Sequence, residues 1–124
     1  MIERILVFLA ALTVKHFIAD FLLQSDEMVK KKGTHLNTLL LHSLHHAVAT
    51  IGIVWFFFDL WSACIIALIE IGIHSLIDGI KSNPRFLGTI TLSNKKFFPL
   101  LGLDQLMHMF TYLLFAYLLF DGKL

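Results

Sequence analysis

The chain has 124 residues, 57% of them hydrophobic, and its mean hydropathy is +0.78. Soluble domains contain only about 45–50% apolar residues, so the composition excludes an ordinary soluble protein and predicts an integral membrane protein. The formal net charge of +1 gives no basis for a nucleic-acid partner. We therefore expect membrane lipid to be the main partner.

The apolar stretches predict four membrane-crossing helices. A helix needs about 20 residues to cross the hydrocarbon core, so four spans occupy most of the chain and leave no soluble domain. The expected fold is all-α, an integral membrane four-helix bundle that forms a single transmembrane domain over residues 1–124. The first span continues past Lys15 and Asp20, unlike a signal peptide. The predicted spans are 4–24, 36–58, 60–80 and 103–120.

The connections between the spans predict the orientation. Spans two and three are joined by a short turn at Asp59, which lies between the aromatic anchors Trp55 and Trp61. The other two connections face the opposite side, and by the positive-inside rule their cations place them in the cytoplasm, with both termini on the non-cytoplasmic side. The apolar residues of 82–102 are expected to lie at that interface and to cover the site below. Seven of the ten Lys and Arg residues lie in these two connections: Lys30, Lys31, Lys32, Lys81, Arg85, Lys95 and Lys96.

Each predicted span carries two potential metal ligands four residues apart. In a helix this spacing is a rise of about 6 Å and a rotation of about 40°, so the two side chains share one face. An ionisable group inside a membrane costs about 2.5–3.5 kcal/mol, so eight of them need partners, and a bound cation is the simplest one. The pairs are His16/Asp20, His42/His46, His74/Asp78 and Asp104/His108.

The chain direction brings these pairs to one level. All four lie within roughly 15 Å of the predicted cytoplasmic ends of their spans, so a bundle would gather them in its core. Five histidines and three aspartates are enough for one or two divalent transition-metal ions. Nitrogen and oxygen ligands favour zinc, with iron or manganese as alternatives.

This site predicts a binuclear metal-dependent hydrolase that acts on a lipid or other anionic substrate at the cytoplasmic leaflet. A bound metal lowers the pKa of a coordinated water to about 7, which generates a nucleophile. Glu70 is predicted to orient His74 or to accept a proton, and His45 to assist catalysis. Lys15 is expected to bind substrate or to pair with an acid. The predicted substrate-binding residues are Lys15, Gln24, Lys81 and Gln105.

Two other functions remain open at this stage. His42, His45 and His46 match one histidine box of membrane desaturases and hydroxylases, which are di-iron oxidoreductases, although those enzymes use three boxes and this chain has seven histidines in total. The polar helix edges are also compatible with a metal or proton transporter or a sensor. A stripe of small residues on span three predicts close packing, either within the bundle or in a homodimer. The stripe consists of Gly72, Ser75 and Gly79.

The four pairs with their flanking residues resemble a family of small bacterial and phage membrane proteins, the domain of unknown function 3307. The resemblance covers nearly the whole chain and implies a multi-pass protein of the bacterial inner membrane, but it implies no activity. A looser similarity to membrane-bound metal-dependent hydrolases supports the reaction class by analogy. The matching segments are His16 to Gln24, Leu41 to His46, His74 to Lys81, and Asp104 to His108.

Overall fold

A computed structural model describes residues 1–124, and its regular structure is entirely helical. Four helices are long and apolar enough to cross a membrane, the first of them ending in one π-helical turn. This confirms the all-α prediction and the number of long apolar helices. The helices are α1 (Ile2–Phe17, extended by the π-helical turn Ile18–Leu22), α2 (Asp26–Lys31), α3 (Leu36–Phe57), α4 (Leu60–Ser82) and α5 (Phe97–Phe120).

The fourth long helix begins earlier than predicted. It starts at Phe97 rather than at residue 103, because Pro99 does not interrupt it. Pro99 is the third residue of α5, where a backbone N–H has no acceptor within the helix, so a proline is tolerated there. The connection between α4 and α5 is therefore the turn-rich segment 83–96, shorter than the predicted interfacial segment.

The four long helices form a ring in which α1 and α4 each pack against α3 and α5. Both chain termini and the turn at Asp59 lie at one end, here called the terminal end. Residues 23–35 and 83–96 lie at the other, here called the basic end. At the terminal end Asp59 caps α4 by accepting a hydrogen bond from the Ser62 N–H at 2.9 Å. The backbone N–H and the hydroxyl of Ser62 hold the pKa of the Asp59 carboxyl below its ordinary value.

The bundle is apolar on its outer surface and largely polar inside. Of the 28 buried residues, 14 are polar or charged, whereas Phe56, Trp61 and Leu68 are 85%, 76% and 71% exposed. Such extensive exposed apolar surface suits a lipid environment better than water. The buried apolar residues cluster toward the terminal end and define the apolar half of the bundle: Phe8, Leu12, Val54, Ala63, Ile66, Tyr112, Phe115, Ala116 and Leu119.

Two glycines allow both connections of the basic end to approach the end of α4 closely. A Cβ atom on Gly33 would lie 2.0 Å from the Ser82 carbonyl oxygen, and one on Gly88 would lie 2.1 Å from it. Only glycine permits such a close backbone approach. The loop carrying Gly33 is thereby drawn over the polar interior of the bundle.

The predicted small-residue stripe contributes to packing within the bundle. The Ser75 hydroxyl is hydrogen-bonded to the Ser43 hydroxyl of α3 at 2.7 Å. A Cβ on Gly79 would contact Leu39 at 3.4 Å, whereas Gly72 faces open space. Ser75 and Gly79 therefore hold α4 close to α3, and the homodimer stays a prediction.

Candidate metal centre

The eight residues of the four pairs meet between the apolar half and the basic end, in what we call the polar half of the bundle. Seven are buried, and the side chain of Asp20 is 8% exposed. The five imidazoles pack against one another, with ring centroids as close as 3.9 Å for His46 and His74 and 4.3 Å for His74 and His108. The structure thus brings together every residue that the sequence predicts as a ligand.

Asp20 holds three imidazoles together at the end of α1. It lies on the π-helical turn, a feature that occurs frequently at functional sites. The Nε2 atom of His16 is 3.1 Å from Asp20 Oδ2. On the facing helix α3, His42 Nε2 and His46 Nε2 lie 3.0 and 2.9 Å from Asp20 Oδ1.

Asp78 has the same role for helices α3, α4 and α5. Its Oδ1 atom is 3.3 Å from His108 Nε2, while its Oδ2 atom is 3.4 Å from His42 Nε2 and 3.7 Å from His74 Nε2. Asp104 adds a third carboxylate, with Oδ1 3.7 Å from His108 Nε2. Each carboxylate therefore faces imidazole nitrogens.

Several of these buried atoms lack hydrogen-bond partners. The Nε2 atoms of His16, His42 and His74 are directed at carboxylates, but none has hydrogen-bond geometry with a partner, and neither has Asp104 Oδ1. Buried polar atoms in folded proteins are nearly always paired. Only His46 and His108 are hydrogen-bonded to a carboxylate, to Asp20 Oδ1 at 2.9 Å and to Asp78 Oδ1 at 3.3 Å. The other imidazole and carboxylate atoms converge without sharing protons, which fits ligands that face a common cation.

The ligand atoms divide into sets that could each hold an ion. In each set, one ligand atom per residue lies within 4.8 Å of all the others. Three imidazoles with one carboxylate suit tetrahedral zinc, whereas the carboxylate-rich set also suits iron or manganese. The sets are Asp20, His42, His46 and His74; Asp78, Asp104 and His108; and an overlapping one of His16, His74 and His108.

Tyr112 orients one of the imidazoles from α5. Its hydroxyl is hydrogen-bonded to Nδ1 of His16 at 2.9 Å, which leaves His16 Nε2 facing the cluster. Histidines that bind metals commonly use their second nitrogen in this way. The sequence places Tyr112 one turn beyond His108 but gives no indication of this contact.

Two lysines and one amide complete the cluster toward the basic end. Lys32 Nζ donates a hydrogen bond to Asp78 Oδ2 at 2.7 Å, and Lys81 Nζ donates one to Asp104 Oδ2 at 2.7 Å. Gln105 Nε2 donates to the same Asp104 oxygen at 3.0 Å. The sequence predicts roles for Lys81 and Gln105 but treats Lys32 only as part of a basic loop. No spacing signal could identify Lys32, because its position depends on how the loop folds onto α4.

A cavity of about 270 Å³ adjoins these lysines. Gln24, Lys32 and Lys81 supply polar atoms to its wall. Gln24 Nε2 donates to the Asp20 carbonyl oxygen, while its Oε1 is buried without a partner. The remaining wall comes mostly from the α4–α5 connection and the start of α5, which agrees with the expectation that this segment covers the site. The apolar residues of the cavity wall are Val29 of α2 together with Leu87, Ile90, Phe97, Leu100 and Leu101.

Three residues with predicted roles in the site are not among the side chains that meet in the cluster. Lys15 pairs with Glu70 and donates a hydrogen bond to Thr50 at 3.1 Å, all three being buried. Lys15 therefore makes the predicted alternative contact with an acid and is not placed to bind substrate, and Glu70 has only Oε2 without a partner. His45 is exposed in an apolar groove between α1 and α3. It lies outside the cluster, because one residue of helix rotates it about 100° from His46, and its catalytic role stays a prediction.

Comparison with known proteins gives one family. The family described as "Protein of unknown function (DUF3307)" matches residues 8–123. The chain therefore belongs to this family, as the order of its four ligand pairs predicts. Searches of the curated proteins and of the solved structures gave no match.

Proposed function

We propose that this DUF3307 protein is a multi-pass protein of the bacterial inner membrane that holds a binuclear metal centre and works as a metal-dependent hydrolase. Its substrate is a lipid or another anionic molecule at the cytoplasmic leaflet. The convergence of eight candidate ligands, seven of them buried, with unpaired imidazole nitrogens carries the proposal. Enclosed carboxylates of this kind are costly in a membrane unless they are neutralised.

The proposed orientation rests on the basic end. Six of the ten Lys and Arg residues lie in the two connections at that end, and Lys81 lies in the last turn of α4 beside them. The positive-inside rule therefore assigns that end to the cytoplasm and both termini to the other side. The ligand cluster and its cavity then face the cytoplasmic leaflet. A substrate from that leaflet reaches the cluster without crossing the membrane.

The charges of the site favour an anionic substrate. Three aspartates and the two lysines bonded to them give a formal charge of −1, and two divalent ions would change it to +3. When bound, such ions supply Lewis acidity and lower the pKa of a coordinated water to about 7. Zinc is the first choice for the set of three imidazoles and one carboxylate.

The chain's own residues have separate tasks in this proposal. Lys81 and Gln105 position Asp104 and face an incoming anion. Glu70 keeps one oxygen free of hydrogen bonds one helical turn from His74, so it is the proposed proton acceptor. Tyr112 fixes the ring of His16 and thus the direction of its Nε2 atom.

The apolar half argues against a transport pathway. Phe8, Leu12, Val54 and Phe115 are fully buried between the cluster and the terminal end. An ion crossing this layer would have no polar partner. A di-iron oxidoreductase has the same ligand types, and iron in the purified protein together with a requirement for oxygen would favour it instead.

The first test is the metal content of detergent-purified protein. We expect about one or two zinc, iron or manganese ions per chain, and hydrolysis of an anionic ester that a chelator abolishes. His74→Ala should remove most of the metal and the activity. His45→Ala is the matched control, because it also removes an imidazole but from a position outside the cluster. Metal-free wild-type protein, or equal losses in both variants, would contradict the proposal.

A further inference from the structure

We infer that the cavity beside the cluster binds the phosphoryl group of an amphiphile, and that Lys32 and Lys81 are its binding residues. Lys32 becomes available for this task when a metal ion replaces it at Asp78. The inference rests on the proposed metal centre and names the substrate class of that same site.

The two lysines differ in how they meet their carboxylates. Lys32 Nζ is bonded to Asp78 Oδ2, the same oxygen that faces His42 Nε2 and His74 Nε2 at 3.4 and 3.7 Å. A metal ion that Asp78 binds through this oxygen would compete with the ammonium group for it. The side chain of Lys32 is only 7% exposed, so water cannot replace Asp78 as the partner of its ammonium group in its present position.

Lys81 does not compete in this way. It is bonded to Asp104 Oδ2, whereas the oxygen of Asp104 that faces His108 is Oδ1. Lys81 can therefore keep its partner while the metal ion binds. Its side chain is 31% exposed and lines the cavity, so its remaining N–H donors are available to a ligand.

With metal bound, the cavity presents two ammonium groups beside a positively charged centre. A phosphoryl group has enough oxygen atoms to accept hydrogen bonds from both lysines while another oxygen is directed at the metal centre. Lysine is a common phosphate-binding residue because its charge is compact and its three donors rotate freely. The unpaired Oε1 of Gln24 adds an acceptor for a hydroxyl group of the ligand.

The rest of the cavity wall indicates an amphiphile. Leu87, Leu100 and Leu101 line the same cavity as the two lysines. Its volume of about 270 Å³ is slightly below that of typical small-molecule sites, about 300–1,000 Å³. The cavity therefore takes a head group, while the attached alkyl chain lies along the apolar wall toward the lipid.

The test uses zinc-loaded full-length protein in a non-ionic detergent and titrates it calorimetrically with dodecyl phosphate and with inorganic phosphate. Dodecyl phosphate should bind more tightly, because only it covers the apolar wall. Lys32→Gln and Lys81→Gln should each weaken this binding about tenfold, which corresponds to about 1.4 kcal/mol. Lys31→Gln is the control, because Lys31 is exposed and pairs with Glu27, and it should bind like the wild type.

Zinc affinity, measured by competition with a chelator, provides the second readout. Lys32→Gln should bind zinc more tightly than the wild type, because a competing cation is removed, although it binds dodecyl phosphate less well. A merely structural role for Lys32 would weaken both. If the variants hold zinc but bind dodecyl phosphate like the wild type, or if both phosphates bind equally, the inference is wrong while the metal centre stands. If wild-type protein binds no metal, the proposed function itself fails.

Discussion

The two halves of the bundle are built on opposite principles. In the apolar half, Phe8 makes edge-on contacts with the rings of Phe57, Phe58 and Phe120, at centroid distances of 5.4, 6.0 and 5.6 Å. In the polar half, five imidazoles and three carboxylates occupy the interior between the same four helices. Close packing of apolar side chains stabilises the apolar half, whereas interactions between charged and polar side chains stabilise the polar half.

The comparison shows where a cation could be held. Lipid is as apolar as the residues of the apolar half, so helix association there depends on close packing rather than on exclusion of water. The polar half has ligand atoms without partners, and a bound ion would satisfy them. We therefore expect metal to stabilise the polar half and to leave the contacts of the apolar half unchanged.

The largest effect is expected for Asp78→Asn. This change leaves Lys32 buried without its counterion, which costs about 3–5 kcal/mol, and removes a carboxylate that contacts three imidazoles. The variant should also lose more than about 100-fold in zinc affinity, since even indirect supports of metal ligands contribute 10–100-fold. Thermal unfolding in detergent with and without zinc measures both effects, and zinc should no longer raise the unfolding temperature. Asp26→Asn, at an exposed position of α2, is the control and should behave like the wild type.

A smaller effect is expected for Phe8→Ala in the apolar half. It leaves a cavity among Phe57, Phe58 and Phe120 and should cost up to about 3 kcal/mol, the lower end of the range for buried phenylalanine, because lipid adds little driving force. The stabilisation by zinc should remain that of the wild type. Unfolding curves at several zinc concentrations measure this difference. A loss of the zinc response in Phe8→Ala would show that the two halves are coupled.

The smallest effect is expected for Asp59→Asn in the α3–α4 turn. Hydrogen bonds from Ser62 lower the pKa of Asp59 in the folded protein from its ordinary value of 3.8. A lowered pKa means that Asp59 contributes stability above that value, which is lost as the pH falls through the folded pKa. Asp59→Asn should therefore be slightly less stable at neutral pH, and the difference should shrink below about pH 4. Unfolding temperatures of both proteins across this range test it, and a difference that does not change with pH would contradict it.

Local periodicity explains why the sequence predicts which candidate ligands meet in the bundle. A spacing of four fixes which side chains share a helix face, as it does for His42 and His46, and hydropathy fixes where each helix lies. The same periodicity separates His45 from His46, so His45 lies outside the cluster although the two are neighbours in the chain. The sequence also predicts the fourth span to start at residue 103, whereas α5 starts at Phe97, because the first turn of a helix tolerates Pro99.

The sequence by itself determined the all-α class, the four long apolar helices and the eight candidate ligands that share one level, since these follow from composition and a period of 3.6 residues. Only the tertiary structure decided that Lys32 pairs with Asp78, that Lys15 pairs with Glu70 and that Tyr112 orients His16. Each of these contacts joins residues at least 46 positions apart. They depend on how helices and loops pack across the bundle, which no local pattern encodes.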